Sequence, residues 1–256
     1  EEAPETEVFH AQSLIVLPVV RAAARHRDAR VVDDVAEVDT EAARLARMPG
    51  IVRVPVGRRG GEWGRDGAAL LAVSAPGADL VVRRWGVPRP TILWNCPPAW
   101  RPDERHAIES DKIREATGIE PERPIVLYQG GFSVDRGVEE LVAAATEPRL
   151  MELGAAVVFM GYGRLETFIA EAVARHPGRI YLLPAVRPDD LLPWTASADV
   201  SFVGQPPRTL NQKMNLPTKL FESIMAGVPV VVSEGNEQCR LTSEEGIGVC
   251  VDIDDP

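Results

Sequence analysis

Two side chains that could bind a phosphorylated sugar, Lys219 and Glu222, lie three positions apart. Residues three apart share one face of a helix. A lysine there can neutralise a phosphate, and a carboxylate can accept hydrogen bonds from sugar hydroxyls. Pro217 suits the first turn of such a helix, and Gly227 suits its left-handed end. The alternative for this segment alone is a solvated ion pair on an exposed helix.

A second candidate is the turn at Gly130 and Gly131, which follows a predicted strand and precedes a predicted helix. Two glycines let a ligand approach the backbone closely. The helix N-terminus offers N–H groups to an anion, and Arg136 adds a positive charge. The alternative is an ordinary strand-to-helix turn with a surface arginine. The segment lacks the G-x-G-x-x-G spacing, so a nicotinamide-dependent dehydrogenase is not indicated.

Two further turns are weaker candidates. Gly161, in the run Gly161-Tyr162-Gly163, could line a pocket or could simply let a helix pack closely on a strand. In the loop 183–188, the backbone at Ala185 and Val186 could contact the edge of a nucleobase. Because these three turns fall at the ends of predicted strands, on the same sheet edge as the helix with Lys219 and Glu222, the ion-pair alternative for those two residues loses weight.

The elements that must position these turns alternate regularly from Pro124 onward. The predicted strands are 124–129, 155–160, 180–183, 200–203, 229–233 and 248–251, and the predicted helices are 136–146, 165–175, 188–197 and 217–226. This alternation predicts a doubly wound α/β sheet with parallel strands. In such sheets ligands bind at the carboxyl ends of the strands.

The upstream part of the chain is less regular. It reads as strands at 7–11, 30–32, 69–74 and 91–94, helices at 13–27 and 39–48, and a Gly- and Arg-rich loop at 57–67. That loop is either solvated or in contact with an acceptor or a membrane. A polar, Pro-rich stretch follows, which is typical of a linker. We therefore expect a partial N-terminal domain at 1–96, a linker at 97–123 and a ligand-binding C-terminal domain at 124–256.

Composition argues against several classes of protein. The 256 residues carry a net charge of −10, which disfavours binding to nucleic acid. No apolar run approaches the ~20 residues that span a bilayer, and no signal peptide is visible. The cysteines, Cys96, Cys239 and Cys250, have no metal-ligand spacing and are expected to be reduced thiols of a cytoplasmic protein. The acidic start, and the stop directly after a predicted strand, suggest a fragment.

Several motifs together resemble the group 1 (family 4) glycosyltransferases. They are Tyr128-Gln129-Gly130-Gly131, Asp135-Arg136-Gly137, Gly161-Tyr162-Gly163, Leu210-Asn211, Leu216-Pro217-Thr218-Lys219-Leu220-Phe221-Glu222 and Ala226-Gly227-Val228-Pro229-Val230-Val231. The resemblance is strong over 124–253 and weaker upstream, at Phe9-His10-Ala11 and Asp34-Val35-Ala36-Glu37. It implies the GT-B fold, with two Rossmann-like, doubly wound domains of parallel sheets, the N-terminal one incomplete.

The resemblance also implies roles for the candidate residues. Glu222 would hydrogen-bond the donor ribose, and Arg136 and Lys219 would hold the diphosphate, these three being the catalytic set. The backbone at Gly130 and Gly131 would flank the phosphates or the acceptor. The remaining nucleotide-sugar-binding positions would be Gly161, Ala185, Val186, Leu216, Pro217 and Thr218.

The implied activity is that of a retaining, hexosyltransferase-like enzyme. It would take a UDP-, GDP- or dTDP-sugar as donor and need no metal or other cofactor, because fixed cations and helix N-termini stabilise the leaving diphosphate. The acceptor (a glycan, a lipid or a small metabolite) and the oligomeric state are not implied. The expected location is cytoplasmic, with the inner membrane surface as an alternative.

Three positions depart from the family pattern. Met214 stands where the first of two glutamates eight apart is usual, Gly131 where a basic residue is usual, and Ala36 where the histidine of D-x-H-E is usual. Segments that read L-P-x-K-L-F-E commonly lack the first glutamate, so Met214 is interpreted as a subfamily trait. The alternative hypothesis is a non-catalytic GT-B relative that binds a nucleotide or a glycan, or that partners an active enzyme.

Overall fold

The computed structural model describes residues 6–13, 16–35, 61–62, 67–100 and 111–254. The chain divides into two compact units. The first unit is Glu1–Asn95 with Arg208–Leu216, and the second unit is Cys96–Pro207 with Pro217–Pro256. The predicted helix at 39–48, the position Ala36 and most of the loop 57–67 lie outside the described residues.

The described elements alternate between strands and helices along most of the chain. In order they are β1 Val8–Ala11, α1 Leu17–His26, β2 Arg30–Val35, β3 Ala69–Ala72, α2 Ala75–Trp85, β4 Thr91–Ile92, α3 Lys112–Thr117, β5 Ile125–Phe132, α4 Val138–Ala144, α5 Pro148–Glu152, β6 Ala156–Gly163, α6 Glu166–Arg175, β7 Ile180–Pro184, a 3-10 turn Pro188–Asp190, α7 Leu191–Thr195, β8 Val200–Val203, α8 Leu210–Met214, α9 Thr218–Ala226, β9 Val230–Ser233, α10 Glu237–Glu245 and β10 Gly248–Val251.

In the described part of the first unit, four parallel strands form a sheet in the order β1-β2-β3-β4. Helix α2 begins at Ser74, whose hydroxyl accepts a hydrogen bond from the Gly77 N–H, and ends at Gly86 in the left-handed conformation. Its apolar face contributes Leu80, Val81 and Trp85 to the core of this unit. The sequence did not predict this helix.

The second unit contains a sheet of six strands in the order β10-β9-β8-β5-β6-β7, with every neighbouring pair parallel. Chain order runs outward from β5 through β6 to β7 on one side, and from β8 through β9 to β10 on the other. The order in which successive strands are added to the sheet therefore reverses between β5 and β8. Such a switch point opens a crevice at the carboxyl ends of the strands.

The second unit buries apolar side chains on both faces of its sheet, which is why its strands read as apolar runs rather than as alternating ones. On β5, Tyr128 and Phe132 belong to one core cluster. Ile125 and Leu127 belong to a second cluster. Because successive strand residues point to opposite faces, β5 contributes to both layers of the core.

The predicted α/β alternation is confirmed in the second unit, with local corrections. The single helix predicted at 188–197 is a 3-10 turn followed by α7. Helices α3, α5 and α10 of this unit were not predicted, nor was α8 of the first unit. Strands β5 and β6 run past their predicted ends, so Gly130, Gly131 and Gly161 lie in the last residues of strands and not in turns. Helix α3 lies inside the segment expected to be a linker, and its Ile113 is completely buried in the second core cluster. The predicted domain boundaries stay predictions.

The expectation of reduced thiols is wrong for two of the three cysteines. Cys239 on α10 and Cys250 on β10 form a disulfide, and their Cα atoms are 5.5 Å apart. Gly246 ends α10 in the left-handed conformation, so the chain turns back and β10 runs alongside the helix. A separation of only 11 residues thereby becomes a spatial contact. Among the described residues, no helix is both long enough and apolar enough to cross a membrane.

Candidate functional site

A cavity of about 360 Å³ lies at the carboxyl edge of the second unit's sheet. Its walls come from the ends of β5, β6 and β7 and from the start of α9. The lining residues are Gln129, Gly130, Gly131, Arg136, Met160, Gly161, Tyr162, Ala185, Val186, Pro188, Leu191, Pro217, Thr218, Lys219 and Glu222. Ten of the eleven site residues predicted from sequence are in this set. The other, Leu216, is buried at 4% exposure and does not line the cavity.

Helix α9 brings the two predicted functional side chains to the cavity. It begins directly after Pro217, whose φ of −73° suits a helix start, and ends at Gly227 with φ 69°. Leu220 and Phe221 are buried. Lys219 and Glu222, three residues apart, face the cavity together, as predicted from their spacing. The first residues of α9 also line the cavity, so the positive end of its dipole lies there.

Lys219 presents a buried cation. Its Nζ atom is shielded from solvent and has no hydrogen-bond partner among the described residues. It lies 4.1 Å from the centroid of the Tyr128 ring, a cation–π contact. The pKa of Lys219 is lowered to about 7, mainly by burial and also by the charge of Arg136, while the charge of Glu222 acts in the opposite direction. A buried, unpaired cation of this kind is a strong candidate for binding an anion.

Tyr128 supports the site from below. It is completely buried, and its hydroxyl donates a hydrogen bond of 2.9 Å to the carbonyl oxygen of Gly131. Burial raises the pKa of Tyr128, so the hydroxyl keeps its proton. One side chain thus contacts the Lys219 ammonium and fixes the glycine pair near the end of β5.

The glycines keep the floor of the cavity free of side chains. Gly130 has φ 109°, in the region that favours glycine. A Cβ atom on Gly161 would lie 1.9 Å from the carbonyl oxygen of Gly130, because β5 and β6 pair closely at this point. A Cβ on Gly131 would have no atom within 4 Å. Gly161 is therefore required by close packing, whereas Gly131 leaves open space.

Glu222 is half-buried, and its Oε2 accepts a hydrogen bond of 2.7 Å from Nε2 of Gln129. Oε1 of Gln129 in turn accepts a bond of 2.7 Å from the Thr195 hydroxyl. Burial raises the pKa of Glu222, while the bond from Gln129 and the charge of Lys219 lower it. Sequence reasoning missed Gln129 and Thr195 as site residues. The available signal was an amide in a strand that is otherwise apolar.

The remaining predicted residues lie in the loops between strands and helices. Arg136 lies just before α4, whose N-cap residue is Gly137 with φ 75°. Ala185 and Val186 follow the end of β7. Met214, which stands where the family usually carries a glutamate, packs against the apolar core cluster of the first unit. Among the described residues, no group of three or more metal-ligating side chains forms a candidate metal centre.

Comparison with solved structures shows the fold. Anabaena HepE in complex with UDP-glucose matches with a TM-score of 0.64 at 14% identity, over 96% of this chain and 64% of that one. Sucrose-phosphate synthase from Thermosynechococcus elongatus matches with a TM-score of 0.69 at 16% identity, over 97% of this chain and 61% of that one. The predicted GT-B fold is confirmed. The chain spans less than two thirds of the length of either protein.

Sequence comparison shows the family. A glycogen synthase from Halorhodospira halophila is 36% identical over 83 residues, which are 31% of this chain and 17% of that protein. The model of the family described as glycosyl transferases group 1 matches residues 123–256. That match covers more than half of the chain and the whole of the cavity, and the chain belongs to the group 1 glycosyl transferases.

Proposed function

We propose that this protein transfers a sugar from a nucleoside diphosphate sugar to an acceptor. The observation that carries the proposal is the buried Nζ of Lys219, which has no hydrogen-bond partner among the described residues and lies in a cavity shared with Arg136 and Glu222. A diphosphate supplies the negative charge and the acceptor oxygens that this ammonium lacks. The complex of HepE with UDP-glucose gives independent support, since it is a solved structure of the same fold.

The chemistry requires stabilisation of a leaving group. When the bond between the sugar C1 and the β-phosphate oxygen breaks, negative charge grows on the diphosphate. Lys219, Arg136 and the N-terminus of α9 lie around one cavity and can stabilise this charge without reorganising. Glu222 would accept hydrogen bonds from the ribose hydroxyls, and the backbone at Ala185 and Val186 would contact the base.

The proposal includes retention of the anomeric configuration. The acceptor hydroxyl attacks C1 on the face that the diphosphate leaves, and its proton passes to the departing phosphate oxygen. No protein nucleophile is then required. Metal independence is proposed on the same basis, because the protein supplies cations of its own. The cytoplasmic location, with the inner membrane surface as its alternative, stays a prediction from sequence.

A binding-only relative is the second candidate function. It is favoured by Met214, whose apolar side chain packs against the first unit's core cluster where the family usually carries a carboxylate. Such a protein would use the same cavity to bind a nucleotide or a glycan, or would partner an active enzyme.

One experiment separates the two candidates. The protein is incubated with UDP-, GDP- and dTDP-sugars, and nucleoside diphosphate release is measured with and without candidate acceptors and with and without EDTA. The expected result is release with one donor, unaffected by EDTA, and a product that NMR shows to retain the donor's anomeric configuration. Nucleotide binding without turnover across the panel would instead support the binding-only candidate.

A further inference from the structure

A hydrogen-bonded pair of buried side chains lies behind Glu222. Gln129 is 2% exposed and Thr195 is completely buried. Nε2 of Gln129 lies 2.7 Å from Oε2 of Glu222, and the Thr195 hydroxyl lies 2.7 Å from Oε1 of Gln129. The three side chains form one continuous chain that ends at the cavity. Neither the family resemblance nor the proposed function assigns a role to Gln129 or Thr195.

Gln129 occupies a position that packing alone would give to an apolar residue. It follows Ile125 and Leu127 on the same face of β5, and both of those residues lie in an apolar core cluster. Burying an amide is unfavourable unless both of its ends are hydrogen-bonded. Here both ends are bonded, one to Thr195 and one to Glu222. The buried amide of Gln129 is therefore tolerated at this position because both of its ends are hydrogen-bonded.

The direction of these hydrogen bonds determines which oxygen of Glu222 remains to accept a hydrogen bond from a ligand. The Thr195 hydroxyl donates to Oε1 of Gln129, which turns the Nε2 group toward Glu222. The same hydroxyl lies 3.1 Å from the carbonyl oxygen of Leu191, a longer contact than the one to Gln129. With Oε2 of Glu222 held by Gln129, Oε1 is the carboxylate oxygen left for a ligand hydroxyl.

We propose that Gln129 and Thr195 are positioning residues, which fix the Glu222 carboxylate so that one oxygen accepts from the ribose hydroxyls of the donor. The ribose part rests on the proposed function. The orientation of Glu222 by Gln129 does not, since it concerns the free protein. Two measurements therefore test the two parts separately.

The first measurement uses UDP and GDP, each with its 2′,3′-dideoxy analogue, titrated calorimetrically into the 256-residue chain. A hydroxyl bonded to a carboxylate makes the natural nucleotide tighter by roughly 10- to 100-fold. In Gln129→Met this ratio should fall to about 3-fold or less, with the affinity of the dideoxy analogue unchanged. Thr195→Val should lower the ratio partly. The matched Thr195→Ser, which keeps the hydroxyl, should have the wild-type ratio.

The second measurement needs no ligand. The pKa of Glu222 is followed by carboxyl ¹³C NMR, assigned with Glu222→Gln. Gln129→Met should raise that pKa above the wild-type value, because the bond that favours the ionised form is gone. An unchanged pKa would overturn the positioning proposal whatever the nucleotides do. If Gln129→Met weakens binding of the natural nucleotide and of its dideoxy analogue by the same factor, the proposal is also overturned, since a purely structural defect affects both equally. If the wild-type protein binds the natural nucleotide and its dideoxy analogue with equal affinity, only the ribose contact is refuted.

Discussion

Replacing Lys219 by methionine should stabilise the fold and weaken nucleotide binding at the same time. Methionine keeps most of the aliphatic stem and removes a buried ammonium that has no hydrogen-bond partner among the described residues. The pKa of Lys219 is about 7 against an ordinary 10.5. By linkage, this difference opposes folding by about 4 kcal/mol at pH 7.

The net gain should be smaller, because Lys219 also favours the ionised form of Glu222. We expect stabilisation of about 2–4 kcal/mol, or roughly 5–15 °C in Tm for a protein of this size. Affinity for UDP or GDP should fall by roughly 10- to 100-fold, the loss expected for charge-assisted hydrogen bonds to the diphosphate.

The stability of the wild-type protein should depend on pH through Lys219. Because the folded state lowers the pKa of Lys219, the unfolded chain binds more protons between about pH 7 and about pH 10. Wild-type stability should therefore rise with pH across that window, by up to about 1.4 kcal/mol per pH unit from this residue. In Lys219→Met that contribution should be gone.

Denaturant unfolding at several pH values and calorimetric nucleotide titration are the assays. Lys213→Met is the matched control, since Lys213 is exposed and does not line the cavity. A variant that is less stable to denaturant than wild type, or that keeps its nucleotide affinity, would refute the assignment of Lys219 as a buried cation that binds a ligand.

Three further predictions follow from the second unit. Glu222→Ala should weaken nucleotide binding by roughly 10- to 100-fold in calorimetry and should also lower Tm, because the buried amide of Gln129 loses its acceptor, whereas the exposed Glu245→Ala should change neither. Gly161→Ala should destabilise the fold by roughly 3 kcal/mol in denaturant unfolding, because its Cβ would lie 1.9 Å from a backbone oxygen. Gly131→Ala should not destabilise the fold, because a Cβ there has open space around it. Equal effects of the two substitutions would refute this packing argument. Cys250→Ser should lower stability by about 3 kcal/mol through loss of an 11-residue cross-link, and dithiothreitol should lower the wild-type Tm similarly but leave the variant unchanged.

Much of the site could be predicted because its determinants are local. Gly130 and Gly161 lie near the carboxyl ends of β5 and β6, and Ala185 directly follows β7. Each of these strands is recognisable from its own residues, and parallel strands place their carboxyl ends at one edge. The same reasoning failed for the short helices α3, α5 and α8, which have only five or six residues each. Helices that short are stabilised mainly by tertiary packing, so their own sequence carries little signal.

The sequence by itself determined the alternation of strands and helices, the helix that carries Lys219 and Glu222, and the family. Each rests on spacing along the chain, which needs no knowledge of distant contacts. Only the tertiary structure decided that Lys219 is a buried cation over Tyr128, that Gln129 and Thr195 stand behind Glu222, and that two cysteines are joined. Burial, charge balance and hydrogen-bond partners are properties of residues that meet only after the sheet is assembled. The spacing named the side chains that could act, and the fold set the charge and the orientation with which they do so.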